Sequence, residues 1–268
     1  MKRSFLMILL VLLTCALGML LFGDEIENLY LELSFNWDTA TEAEKTVKTF
    51  ADENGIPYRS YPKSLIELLD RNPETEEFVL NYPFREKTDY DLSGCDRSTV
   101  PLFLQWDSRW GYEKYGSDMM AITGCGPTCL AMVGYYLTGD AKFDPAAVAA
   151  FAEENGYYVE GSGSSWTLIS EGGPQLGLDV VEIPLDENRM KEALEHGNPI
   201  ILAMGPGDFT SSGHYIVLTG VEDGLFAVND PNSPERSSKL WSYEEIAGQI
   251  RNIWAVSGKQ YGAMPIGE

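Results

Sequence analysis

The hydrophobic pattern of residues 41–99 predicts three short helices followed by a connector. Thr41 to Asn54 has apolar residues at helical spacing, and Gly55-Ile56-Pro57 ends that segment. A second helix is predicted from Pro62 or Lys63 to Asn72, and a third from Glu74 to Tyr82. Phe84 to Thr99 is charged and has neither the helical nor the strand spacing of apolar residues, which indicates a connector.

Beyond residue 100 the pattern again predicts helices first. Gly126 to Leu137 is nearly all apolar, so we expect a buried helix that is closed by Thr138-Gly139. Asp144-Pro145 caps and begins a second helix, which ends at Asn155-Gly156. Two more helices are expected, one starting near Ser165 and one over Asp186 to His196.

Strands follow in the last third of the chain. They are predicted at Pro199 to Met204, His214 to Val221, Leu225 to Asn229 and Ile253 to Val256. Glu222-Asp223-Gly224 joins the middle two as a hairpin turn. Ser242 and Glu245 form a capping box that opens a last short helix to Ile250. Helices followed by an antiparallel sheet make an α+β fold.

The amino terminus has the pattern of a membrane segment. Lys2 and Arg3 precede an apolar stretch from Phe5 to Phe22, and Asp24 follows it. This charge order places the amino terminus in the cytoplasm and the rest of the chain outside. We expect an uncleaved signal anchor that holds the protein on the cell membrane by a single pass. Ala16-Leu17-Gly18 keeps open the alternative of a cleaved signal peptide and secretion.

Length and charge limit the function classes. The 268 residues, 44% of them hydrophobic, suffice for one domain with an appendage. We divide the chain into a signal anchor or signal peptide (1–23), a helical segment (24–99), the main domain (100–258) and a tail (259–268). A net charge of −22 makes nucleic acid and anionic lipid surfaces poor partners.

A thiol lies at the predicted start of a helix, in Gly124-Cys125-Gly126-Pro127. The positive end of the helix dipole stabilises a thiolate there, and the small neighbours let a substrate carbonyl approach. Cys129 lies one turn further along, where we expect it to be buried and inert. Taken alone, the motif is more often a structural turn than a nucleophile. The chain offers too few further Cys or His ligands for zinc, and we expect neither a metal nor a cofactor.

One of the two histidines in the chain, His214, opens a strongly apolar strand. An imidazole at this junction is the base that a cysteine nucleophile needs, and a structural histidine is the alternative. Asp230 ends the neighbouring strand. With the hairpin turn at 222–224, residues whose numbers sum to about 446 face each other, which puts Asp230 close to His214 and Asn229 on the opposite face. Without this register, Asp230-Pro231 would be read as a turn.

A thiol hydrolase also needs donors for the developing oxyanion. Between Pro101 and Cys125 the side-chain amide is that of Gln105. Its N–H and the backbone N–H of Cys125 would form a two-donor hole, and an exposed loop glutamine is the alternative. Outside the membrane, Cys95 and Cys129 could also form a disulfide, and three reduced cysteines are the other reading.

These motifs together resemble a known family. Leu102 to Val256 is similar to the papain-fold cysteine peptidases related to bacteriocin-processing, double-glycine-type peptidases, in their stand-alone bacterial branch. The resemblance rests on the segments Val100 to Trp110, Gly124 to Met132, Gly213 to Leu218 and Asn229-Asp230-Pro231.

The resemblance implies a papain-like fold and a role for each candidate residue. Cys125 would be the nucleophile, His214 the base, Asp230 the group that orients the base and Gln105 the oxyanion donor. One departure concerns Gln105, because in bacteriocin-processing peptidases the glutamine stands only several residues before the cysteine, whereas here it stands twenty before.

The sequence therefore favours a cysteine peptidase outside the cytoplasm that cleaves a peptide or protein substrate. Two alternatives stay open. The same residues would serve a cell-wall peptide amidase or acyltransferase, and a papain-like domain with an unused thiol would only bind peptides.

Overall fold

The structure is a computed structural model in which residues 34–87 and 89–258 are described. The predicted membrane segment 1–23 and the tail 259–268 lie outside the described residues. Within the described ranges, no helix has both the length and the apolar character needed to cross a membrane. Contacts divide the chain into two units, with the boundary in the sequence between Phe84 and Arg85.

The smaller unit is helical, as the periodicity predicts. Its helices are α1 (Glu42–Glu53), α2 (Lys63–Arg71) and α3 (Glu76–Leu80), with 3-10 turns at Tyr58–Ser60, Pro73–Thr75 and Tyr82–Phe84. Thr41 caps α1 in a capping box with Glu44. The predicted third helix is interrupted, because a 3-10 turn capped by Asn72 precedes α3.

The larger unit combines helices with an antiparallel sheet. Its helices are α4 (Met120–Thr123), α5 (Cys125–Thr138), α6 (Pro145–Glu154), α7 (Gly173–Gln175), α8 (Glu187–Glu195), α9 (Pro234–Ser237) and α10 (Tyr243–Ala247). Its strands are β1 (Lys114–Tyr115), β2 (Asp118–Met119), β3 (Tyr158–Val159), β4 (Gly163–Ser164), β5 (Leu178–Glu182), β6 (Ile200–Met204), β7 (His214–Glu222), β8 (Leu225–Asn229), β9 (Leu240–Trp241) and β10 (Ile250–Gly258). The predicted mixture of helices and an antiparallel sheet is confirmed.

Helix α5 forms the centre of the larger unit. It is buried over most of its length, and Gly139 ends it in the left-handed conformation with φ 69°. Asp144 caps α6 by accepting a hydrogen bond from Ala147, and Pro145 occupies the first turn. Both helices begin and end where the sequence places them, to within a residue.

Six strands form the main sheet in the order β5-β10-β6-β7-β8-β9, and every pair is antiparallel. Alternate residues of these strands face two separate cores. Tyr215 and Val217 of β7 pack with α5 and α6, whereas Ile216 and Leu218 pack with α8 and α10. The sheet is therefore covered by helices on both faces.

The structure differs from the predicted elements in several places. Strand β5 at the sheet edge was not predicted, and neither were the short elements β1 to β4, α4, α9 and β9. Strand β10 begins at Ile250, so α10 ends at Ala247 rather than at Ile250. The helix expected near Ser165 is a π-helical turn (Leu168–Gly172) followed by α7.

Part of the predicted connector packs with the larger unit. Leu92 is buried in its core. Arg97 donates from Nε and Nη2 to the carbonyls of Tyr135 and Tyr136, at 2.9 and 2.8 Å, and so satisfies acceptors in the last turn of α5.

Close packing explains one glycine within α5. A Cβ added at Gly134 would lie 2.0 Å from the ring of Phe143, which is fully buried. We expect Gly134→Ala to lower the free energy of unfolding by about 1–3 kcal/mol, because the ring has no room to move. Urea denaturation measures this loss.

Gly248 supplies the matched control for that variant. It has helical φ and ψ of −67° and −19°, and a Cβ there would meet no atom within 4 Å. We expect Gly248→Ala to be neutral or to stabilise the protein by up to about 1 kcal/mol. Equal losses in both variants would refute the packing explanation.

Candidate active site

The half-buried thiol of Cys125 lies at the amino end of α5, directly after Gly124. The first backbone N–H groups of a helix have no acceptor within that helix, so the start of α5 offers donors near this residue. A Cβ at Gly124 would lie 2.5 Å from the Met120 carbonyl, and one at Gly126 would lie 2.6 Å from Ser164 Oγ. Neither position has room for a side chain, because the chain packs tightly behind the thiol. The sequence did not reveal this reason for the two glycines.

His214 begins β7 and is 9% exposed. Its Nε2 lies 2.7 Å from Oδ1 of Asp230, and the Cys125 side chain is near enough to raise the pKa of the ring. Because Nε2 is used by Asp230, Nδ1 is the ring nitrogen left for the thiol. The fold thus brings together three predicted site residues from α5, β7 and the loop after β8.

The charges at this site favour the imidazolium. Burial lowers the pKa of His214, but the Asp230 carboxylate, together with the Cys125 side chain in its thiolate form, outweighs burial and raises that pKa from 6.5 to about 10. Burial raises the pKa of Asp230, whereas the charges of His214 and Arg236 outweigh it and hold this pKa below 3.8. A protonated imidazole beside an ionised carboxylate is the favoured state.

The Asp230 side chain is fully buried and has a partner on each oxygen. Oδ1 also accepts the backbone N–H of Asn232 at 2.7 Å, and Oδ2 accepts Nε of Arg236 at 2.6 Å. Sequence reasoning missed Arg236, because an arginine six residues after the aspartate has no signature as a partner.

The hairpin register differs slightly from the predicted one. Partners sum to 447 next to the turn, as in Val221 and Phe226, and to 446 beyond an irregularity between Leu218 and Gly220. Asn229 donates its side-chain N–H to the Val100 carbonyl at 3.0 Å. It thus points away from His214, as the strand alternation predicts.

Gln105 is 4% exposed and so is not a surface residue. Its Nε2 donates to the Ala121 carbonyl at 2.8 Å, and its backbone N–H donates to the Pro231 carbonyl at 2.7 Å. Oε1 is buried without a hydrogen-bond partner among the described residues. The amide is thereby held between the segment that leads into Cys125 and the loop that carries Asp230.

A buried hydroxyl cluster behind the thiol was also missed from the sequence. Ser164 Oγ lies 2.7 Å from the hydroxyl of Tyr115, and the Ser164 carbonyl accepts a hydrogen bond from the Tyr215 hydroxyl at 3.3 Å. Burial raises the pKa of both phenols, so both are neutral donors. The cluster fixes the strand β4 against Gly126.

The remaining cysteines do not extend this site. Cys95, Cys125 and Cys129 are free thiols in the described part of the chain. Cys129 is fully buried one turn inside α5, and burial raises its pKa. Within residues 34–87 and 89–258, no group of three or more His, Cys, Asp or Glu side chains is arranged to hold a metal ion.

A comparison with protein families shows to which family this chain is related. The profile of the Peptidase_C39 like family matches residues 97–262. The chain belongs to this family. Membership confirms the resemblance drawn from the motifs and supports a function of the cysteine-peptidase type. A comparison with curated proteins found no match.

Two solved structures are similar to this chain. One is the peptidase domain of Streptococcus ComA, described as a bi-functional ABC transporter involved in a quorum sensing pathway. It is 18% identical, with 60% of this chain and 99% of that chain covered and a TM-score of 0.43. The other, a putative C39-like peptidase from Bacillus anthracis, is 14% identical, with coverage of 63% and 96% and a TM-score of 0.39.

The different burial of the two thiols in α5 predicts different reactivity. In native protein near neutral pH, iodoacetamide should modify Cys125 more than about tenfold faster than Cys129, because one thiol is at the helix start beside an imidazole and the other is enclosed. Peptide mapping by mass spectrometry measures both rates. Equal, slow labelling of the two cysteines would contradict the prediction, and His214→Ala should slow the labelling of Cys125 alone.

Proposed function

We propose that this protein is a cysteine peptidase that cleaves peptide bonds through Cys125, His214 and Asp230. The observation that carries the proposal is the 2.7 Å contact between the imidazole of His214 and the buried Asp230 carboxylate, with the Cys125 side chain acting on the same ring. A nucleophile next to a base, and a base oriented by a third group, is the arrangement that thiol hydrolysis requires. A papain-like fold, with the thiol on a helix and the base on a sheet, accounts for the way these three residues come together.

In the proposed reaction the thiol of Cys125 gives its proton to Nδ1 of His214, and the sulfur attacks the carbonyl carbon of the substrate. His214 then donates this proton to the leaving amine as the C–N bond breaks, which leaves an acyl thioester on Cys125. Water, deprotonated by the now neutral His214, attacks the thioester and releases the acid and the thiol.

The oxyanion formed in each attack needs preorganised donors. We assign this role to the backbone N–H of Cys125 and the amide of Gln105. One N–H of Gln105 is donated to the Ala121 carbonyl, so the amide retains its second N–H for the substrate. The position of Gln105, twenty residues before the cysteine in sequence, does not prevent this role, because its carbonyl partner is only four residues before Cys125.

Hydrolysis of a peptide library, followed by mass spectrometry, tests the proposal. Cys125→Ala should abolish cleavage, and His214→Ala should lower it by about 10²–10⁴-fold, the usual worth of a positioned base. Asp230→Asn should lower it less, since an amide still orients the imidazole but stabilises the imidazolium poorly.

Asn229→Ala is the matched control, because that side chain hydrogen-bonds the Val100 carbonyl on the other face of β8. It should retain cleavage near the wild-type rate. A larger loss in Asn229→Ala than in Asp230→Asn, with both variants folded by circular dichroism, would refute the assigned orienter. Cleavage that survives Cys125→Ala would refute the thiol mechanism, and no cleavage by wild type with bound peptide retained would favour a peptide-binding domain.

We also propose that the larger unit acts outside the cytoplasm, held on the membrane by residues 1–23. The support is the order of basic, apolar and acidic residues at the amino terminus. The substrate would then be an extracytoplasmic peptide or protein.

Protease added to intact cells that express the chain should digest the larger unit, and the protein should fractionate with membranes, because an uncleaved anchor is not released. Immunoblotting of the fractions measures both. Release into the medium with a new amino terminus near Met19 would favour the cleaved signal. Protection of the chain inside intact cells would refute both placements.

A further inference from the structure

Arg236 contacts Asp230 because it lies in the short helix α9, which follows Asp230 closely in the chain. Ser233 caps α9 by accepting the backbone N–H of Arg236 at 3.1 Å. Ser237 closes the turn, since its Oγ accepts the backbone N–H of Asp230 at 2.9 Å and donates to the Ser233 carbonyl at 2.8 Å. This turn folds back on Asp230 and brings the guanidinium to its carboxylate.

The contact is a buried ion pair on the side of Asp230 that His214 does not use. Nε of Arg236 lies 2.6 Å from Oδ2, whereas Nε2 of His214 lies 2.7 Å from Oδ1. The Asp230 side chain has no exposure and that of Arg236 has 24%. A buried carboxylate is stable as an anion only when it is paired, and guanidinium keeps its charge at every pH of interest.

We propose that Arg236 is a positioning residue that keeps the Asp230 carboxylate ionised while His214 loses its proton. The proposal rests on the proposed function, in which His214 is an imidazolium after it takes the thiol proton and neutral after it protonates the leaving amine. When His214 is neutral, Arg236 is the cation that still compensates Asp230. Without it, His214 would have to hold its proton to compensate the buried anion, and deacylation would lack a base.

The other groups that face this pair do not supply a permanent positive charge. Cys125 and Cys129 interact with His214 and Asp230 from α5, and Glu235 of α9 interacts with Arg236. Each of these is neutral or, when ionised, negative. Asn232 contributes a backbone N–H to Oδ1 of Asp230.

The charge of Arg236 should therefore lower the proton affinity of His214, and its removal should raise it. We test this by the titration of the His214 ring by NMR, in the full chain with labelled histidine and with Cys125→Ala, so that no thiolate contributes. The second histidine, His196, is exposed at the end of α8 and serves as the internal reference.

Arg236→Gln should raise the midpoint of His214 by about 0.5–1 pH unit and leave His196 unchanged, as expected for loss of a unit charge near a partly screened site. Arg236→Met removes the same charge and keeps the aliphatic stem, so either variant that folds decides the matter. Arg236→Lys should restore a midpoint close to the wild-type value. Lys239→Gln removes a charge that pairs with Glu235 and should have no effect.

An unchanged His214 midpoint in the folded Arg236 variants, or an equal rise in Lys239→Gln, would overturn the proposal. The titration needs no substrate and no thiol, so its result is independent of the proposed function. A raised midpoint together with peptide cleavage that survives Cys125→Ala would leave the electrostatic role of Arg236 standing and refute the peptidase mechanism instead.

Discussion

The candidate site depends on the burial of one carboxylate. Asp230 has no solvent-exposed side-chain surface, so the cost of its charge must be offset by partners, and the fold supplies one for each oxygen. His214 contacts Asp230 because β7 and β8 pair as a hairpin. Arg236 contacts Asp230 because helix α9, which Ser233 caps, follows Asp230 in the chain. The orientation of the imidazole toward Cys125 follows from these two contacts, since the nitrogen bound to Asp230 is not available to the thiol.

The same charges link the site to the stability of the fold. The pKa of His214 is raised from its ordinary value of about 6.5 to about 10, so the stability that its protonation contributes is fully present below about pH 6.5 and is lost as pH rises through about 10. The pKa of Asp230 is lowered from 3.8, so its contribution is present above that value and is lost as pH falls through the folded pKa. The pair is thus held most strongly in the charged form, whereas the proposed hydrolysis also needs the neutral imidazole. The stability of the fold therefore favours protonated His214, whereas turnover in the proposed reaction requires that His214 also lose its proton.

Local patterns in the sequence predict the elements that carry the chemistry. The apolar run of α5, the proline and aspartate before α6 and the hairpin of β7 and β8 are all found in the structure, because caps, turns and periodicity act over a few residues. Edge strand β5 was missed because its five residues alternate weakly and become a strand only by pairing with β10. The Ser164 cluster was missed for the same reason, since it is defined by contacts between distant segments. Arg236 was missed because its spacing of six residues from Asp230 has no sequence signature. The packing of Gly126 against Ser164 was likewise not visible in the sequence, because Ser164 lies far from Gly126 along the chain.

Hydrogen bonds join the separate parts of the site into one frame. The backbone N–H of Gln105 is bound to the Pro231 carbonyl, next to Asp230, and the Gln105 amide is bound to the Ala121 carbonyl, just before the helix that carries Cys125. Trp106 adds a bond from its indole N–H to the Asn232 carbonyl at 3.2 Å. The segment at 105–106 therefore connects the loop that carries Asp230 to the start of α5. The distance between these two parts sets the distance between the His214 imidazole and the Cys125 thiol. In the proposed reaction, a frame of this kind would hold Cys125, His214 and the proposed oxyanion donors in place before a substrate arrives, which is the condition under which fixed dipoles stabilise a developing oxyanion without reorganisation.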